Sequence, residues 1–155
     1  MQMKFDAYLA KTKHNAEEEG AVLATLSSLL QSLSDLSAIE FRAAKASLQL
    51  LIENAIGKAR QLLRHLKCPV TPVTAHDAFR IMRDVGMLDD DDYSALVRAV
   101  GFRNAMIHDY MNFDSQVLLR LVRTHEYQRV IDFLTRDASY PELVLRRVER
   151  YAPIS

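Results

Sequence analysis

Apolar residues recur at intervals of three and four almost from end to end of this chain, and little interrupts them. The clearest run spans residues 38 to 67, where Phe41, Ala44, Leu48, Leu51, Ala55, Leu62 and Leu66 fall on one stripe. That period is helical; a half-buried strand would alternate every second residue. All-β architectures also need many residues that accept tight turns, and the sequence has only 4 glycines and 4 prolines. The pattern predicts an all-α protein, a single up-and-down helical bundle with extra short helices and short connections.

Punctuation residues divide the bundle. Asn15, with Glu18 three residues on, has the spacing of a helix start, ahead of Val22, Leu26, Leu29, Leu30 and Leu33. Ser37 and Glu40 repeat that spacing and open the long segment to about Lys67. Gly57 inside it is either a tolerated helix glycine or a point of close contact with a neighbouring helix. Pro69 and Pro72 cannot continue a helix. Thr74 starts a short helix that Gly86 should end after Val85. Four acids, Asp89 to Asp92, then precede a helix expected from about Asp91 to about Met111. They suit its N-cap and first turn, and adjacent carboxylates splay around a helix rather than converge on a metal. Asp114 should cap a helix continuing to about Thr135, and Ser139 with Glu142 reads as a last capping box leading into residues 143–151. With no repeat, low-complexity segment or long linker, residues 1–155 read as one domain.

A chain of 155 residues can bury roughly 70% of its unfolded surface. It therefore needs neither disulfides nor metal to hold a core. Its single cysteine, Cys68, fits a reducing compartment. No apolar run reaches the ~20 residues of a membrane span, and residues 1–14 lack the apolar stretch of a signal peptide. The expectation is a cytoplasmic protein with no membrane partner and no cofactor. Lys+Arg and Asp+Glu both number 20, which argues against a protein that coats nucleic acid but leaves room for a local basic patch. From Arg98 onward every cation other than histidine is arginine: Arg98, Arg103, Arg120, Arg123, Arg129, Arg136, Arg146, Arg147 and Arg150. Two readings stay open for them, surface ion pairs or bidentate phosphate contacts.

One short segment concentrates chemistry: Arg103, Asn104, His108 and Tyr110, near a helix end. At 3.6 residues per turn Asn104 and His108 share a face, as do Arg103 and Tyr110, while Arg103 and His108 stand about 140° apart. Arg103 and His108 would flank one broad surface with Ile107 and Met111 between them. They could act on one phosphate only in a cleft, and a two-fold partner laying the same helix alongside would make one. Cutting RNA without a metal requires removing a 2′-hydroxyl proton and protonating a leaving oxygen, work for histidine near neutral pH. Arginine supplies fixed donors for the charge growing on phosphate. Asn104 could hold the imidazole or contact RNA. Spacing alone equally allows an interior histidine and a surface ion-paired arginine. Glu53 and Asn54, inside an apolar helix, either face the motif helix or mark a polar boundary stripe. The remaining histidines, His14, His65, His76 and His125, show no metal-ligand spacing with each other or with Cys68. There is no phosphate-binding glycine loop and no nucleophile elbow.

Arg103-Asn104-x-x-x-His108-x-Tyr110 resembles the HEPN signature, and the tyrosine two residues past the histidine is similar to the HepT subfamily, the toxins of HepT–MntA toxin–antitoxin pairs. Gly101-Phe102 before the arginine, the helix around residues 50–56, and the Pro-containing connection ahead of Ala78-Phe79-Arg80-Ile81-Met82 are similar too. The resemblance covers about residues 37–137. It implies a HEPN-like helical homodimer with both motifs at a shared cleft. It also implies a metal-independent endoribonuclease that leaves a 2′,3′-cyclic phosphate. Arg103 and His108 would be catalytic, Asn104 site-supporting, and no metal or cofactor bound. The implied partners are RNA and an MntA-like nucleotidyltransferase antitoxin that neutralises the toxin by transferring AMP to Tyr110. A reading from another class remains beside it: a non-catalytic helical module that binds nucleotide, or docks such a nucleotidyltransferase, through the same residues.

Overall fold

A computed structural model describes residues 2–108 and 111–152. Among them are seven helices: α1 (Gln2–Leu29), α2 (Ala38–His65), α3 (Ala75–Val85), α4 (Asp90–His108), α5 (Ser115–Arg123), α6 (Gln128–Thr135) and α7 (Glu142–Glu149). The two long helices α1 and α2 pack together, α6 lies across both, α4 packs on α2, α3 and α6, and α7 rests on α3. None of the described helices is long and apolar enough to cross a membrane.

Several boundaries stand where the side chains dictate. Ser37 accepts the Glu40 amide while the Glu40 carboxylate accepts the Ser37 amide, a complete capping box at the start of α2. Thr74 caps α3, and Gly86 ends it in the left-handed region at φ 92°. Asp89 accepts the Asp92 amide at 2.7 Å and so caps α4. Asp114 caps α5 through the Gln116 amide. Gly57 is a close-contact glycine: a Cβ there would stand 3.2 Å from the Tyr8 hydroxyl of α1.

Other boundaries differ from the sequence reading. Asn15 caps nothing, because α1 runs through it from Gln2. The helix expected from 115 to 135 is two helices, broken where His125 takes φ 57°. Its ring is hydrogen-bonded to Ser27 at 3.0 Å and Tyr127 at 3.2 Å, and these bonds hold a conformation that costs a non-glycine residue energy. The last helix starts after Pro141 with no side-chain cap, so the Ser139 box does not form.

The core runs through all these elements. Leu23 and Leu26 of α1, Leu51 and Leu62 of α2, Phe79 and Met82 of α3, Leu96 of α4, Leu118 of α5 and Phe133 of α6 are buried. Phe79 meets Phe133 edge to face at 6.1 Å. Truncating any of the large ones should cost about 2–5 kcal/mol.

Two polar devices tie α6 into this core. The fully buried Lys58 donates to the carbonyls of Phe133 at 2.7 Å and Arg136 at 2.9 Å, so a cation satisfies the open C-terminal end of α6. Burial, reinforced by the Arg136 charge and partly offset by Asp137, lowers its pKa to about 8. Asp92, in the first turn of α4, accepts from Arg129 and Arg136, both at 3.0 Å. The acid run is thus a cap plus an inter-helix tie.

Candidate functional site

Arg103 sits in the last turns of α4, where the helix passes α2. Its Nη1 donates to the Glu53 carboxylate at 2.7 Å. Glu53 therefore faces the motif helix. Arg103 side chain exposure is 21%, low enough that the guanidinium lies against the protein rather than waving in solvent. Its Nε is buried without a hydrogen-bond partner among the described residues. A buried donor left unpaired costs about 1–3 kcal/mol, so the arginine is held by its ion pair in a position that does not satisfy it fully. The pair with Glu53 uses one of the five N–H donors of the guanidinium.

His108, the last residue of α4, is exposed. Asn104, one turn before it, is exposed as well. The described residues show no hydrogen bond from either side chain to Arg103. One chain thus presents an arginine anchored by Glu53 and an exposed histidine near the same helix end, with no hydrogen bond joining them among the described residues. The surface between them is apolar and uncovered: Ile107 is 38% exposed and Met111, in the following turn, 79%. Leu50, one turn from Glu53 on α2, is half-exposed as well. Tyr110 lies outside the described residues.

Most of the arginines after Arg98 prove to be engaged. Arg103, Arg120, Arg129, Arg136 and Arg146 each pair with a carboxylate. Arg123 donates to the Leu30 and Ser34 carbonyls in the connection after α1. Sequence reasoning missed Lys58, a lysine on an otherwise apolar stripe, and left Arg98 open between an ion pair and a phosphate contact. Nothing in a composition or a spacing distinguishes an arginine with a carboxylate opposite it from one without.

Residues 22–136 match the protein family described as Ribonuclease HepT-like. No curated protein matches the chain. Two solved structures share its fold. One, of a toxin–antitoxin with AMP-PNP, superposes with a TM-score of 0.68 at 16% identity, over 82% of this chain and 97% of that one. The other, of a tri-AMPylated Shewanella oneidensis HEPN toxin in complex with MNT antitoxin, has a TM-score of 0.68 at 17% identity, over 81% of this chain and 95% of that one.

Proposed function

The chain belongs to the HepT-like ribonuclease family, and on that premise we propose that it is a metal-independent endoribonuclease, the toxin of a toxin–antitoxin pair, working at a cleft between two copies. The observation that carries this reading is the end of α4: Arg103 anchored by Glu53, His108 open, and an uncovered apolar surface between them.

A phosphate lying across that surface would meet the free side of the Arg103 fork, which supplies charge where it develops in the transition state. The 2′-oxygen attacks phosphorus, the bond to the 5′-oxygen breaks, and a 2′,3′-cyclic phosphate remains. One proton must leave the 2′-hydroxyl and another must reach the 5′-oxygen. A single imidazole cannot start in both protonation states, so two histidines related by a two-fold axis divide the work as base and acid. Dimerisation through Leu50, Ile107 and Met111 would cover the exposed patch and bring the two motifs together. Asn104, on the His108 face, would orient the imidazole or the RNA.

Regulation follows from Tyr110, two residues past His108. AMP transfer to its phenol oxygen by a nucleotidyltransferase antitoxin would release pyrophosphate from ATP and leave a phosphodiester beside the histidine. The bulk would occupy the groove, and the charge would compete for Arg103. The AMPylated HEPN toxin of similar fold supports that reading.

The decisive experiment is incubation of purified protein with RNA in excess EDTA. Cleavage is expected, with cyclic phosphate ends, and His108→Ala and Arg103→Ala should each lower it by about 10²-fold or more. Wild-type cleavage by both variants would overturn the assignment. Co-expression with the antitoxin should add AMP to Tyr110, seen by mass spectrometry. An unmodified tyrosine in a neutralised complex refutes that regulation and leaves the nuclease standing.

A further inference from the structure

Beside the motif, a cleft of about 760 Å³ opens between α2, α4, α5 and α6. Its floor is apolar, built mainly by Leu48, Leu51 and Ile52 of α2, Ala99 and Phe102 of α4 and Leu121 of α5. Phe102 is backed edge to face by Phe113 at 5.4 Å, which makes an aromatic wall.

The rim charges are nearly all spoken for. Arg129 is held by Asp92. Arg120 pairs with Glu126, which also accepts the Thr124 hydroxyl. The Asp114 carboxylate is occupied by capping α5. Arg98 is different. It lines the cleft, is exposed, and meets no carboxylate within ion-pair distance among the described residues. The result is an apolar slot whose rim carries an exposed cation with no carboxylate beside it among the described residues.

The complementary ligand has a flat, largely apolar body and one negative charge about 6 Å away, the rise of one helical turn from Phe102 back to Arg98. A single nucleotide unit has that form. The slot also has the size of a small-molecule site. It is continuous with the motif, because Ala105 carries the lining to within one turn of His108 on a neighbouring face. A strand with one phosphate at His108 must place an adjoining base nearby, and single-stranded RNA is read with its bases splayed out against aromatic and arginine side chains.

We propose that this cleft receives one base of the RNA next to the bond that is cut, with Arg98 on that nucleotide's phosphate, and that it decides which base is accepted there. The inference rests on the ribonuclease reading above. Ala99→Leu fills the floor without touching the motif, and Arg98→Gln removes the cation at similar length.

The test is to map cut sites on a random-sequence RNA pool, with circular dichroism to verify folding. Wild type should prefer one base at a single adjoining position. Ala99→Leu adds three carbons and should change that preference by about tenfold or more, since a single methylene in a pocket already gives that scale, and leave more distant positions alone. Arg98→Gln should raise KM several-fold more than it lowers kcat. Absence of any preference in wild type, or an unchanged preference in folded, active Ala99→Leu, overturns the proposal while the nuclease assignment stands. If no preparation cuts RNA, binding decides. Titration with AMP, CMP, GMP and UMP should shift the methyl resonances of Leu51, Ile52 and Leu121 in wild type and not in Ala99→Leu. No shift at millimolar nucleotide, or an equal shift with octanoate, overturns the assignment of the cleft to a nucleotide.

Discussion

Arg103 is both the residue that the motif singles out and one already paired with Glu53 at 2.7 Å. The two roles are compatible if the carboxylate sets the direction of the fork and leaves its other edge for phosphate. Glu53→Gln keeps the shape and removes the charge. An ion pair whose carboxylate stays open to solvent contributes about 0–1 kcal/mol, so the denaturation midpoint should move little. Cleavage should fall by about tenfold or more, because small misplacements of a catalytic group are costly. Unchanged turnover would reduce Glu53 to a surface partner. The motif itself was legible in the sequence; its anchor was legible only as an alternative, since Glu53 and Arg103 are 50 residues apart. Lys58 makes a second residue-scale prediction. Its folded pKa of about 8 lies below the ordinary lysine value of 10.5. As pH rises from 8 towards 10, the unfolded chain therefore retains a proton that the folded one has lost, and stability increases, by roughly 2–3 kcal/mol over the window. Above that range partly buried tyrosines such as Tyr140, whose pKa is raised by burial, reverse the trend. Urea titrations should show the rise in wild type and a flat profile in Lys58→Met.

Among the elements, those with a chemical stop were readable and those without one were not. Ser37, Thr74, Gly86 and Asp114 announce α2, α3 and α5 because each satisfies or terminates a backbone ladder. Asn15 has the same credentials, yet the chain around it is rich in good helix formers and α1 passes straight through. The break between α5 and α6 carries no glycine or proline; it depends on a bond between His125 and Ser27, 98 residues away, which no local pattern encodes. The Asp92 tie is equally non-local. Asp92→Asn should loosen α4 from α6 and lower stability by about 1–3 kcal/mol, because two arginines lose a largely buried acceptor. Denaturant midpoints check it, and a change within 0.5 kcal/mol, about the scale of an ordinary surface substitution, would show the tie to be ornamental.

For the whole molecule, the shared cleft proposed above requires a second copy to cover the exposed Ile107 and Met111. Sedimentation at micromolar concentration should find a dimer, and Ile107→Glu should dissociate it and abolish cleavage together. Activity in a monomer would sink the shared cleft. The family-matched residues, 22–136, exclude α7 and most of α1; both nonetheless pack on the bundle, α7 through Val144 and Val148.

The pairing of arginines with acids also governs how such a protein would meet a polyanion. Around the motif and the cleft, Arg103, Arg120 and Arg129 each face a carboxylate, so a strand lying there displaces few counterions. For single strands the logarithm of affinity falls by about 0.7 per phosphate contact per decade of salt. With Arg98 and Arg103 the cations nearest the proposed path of the strand, few phosphates should be contacted there and the salt dependence should be shallow. A nuclease of this kind would visit many transcripts fleetingly, and its damage would accumulate through the frequency of encounters rather than the grip of any one.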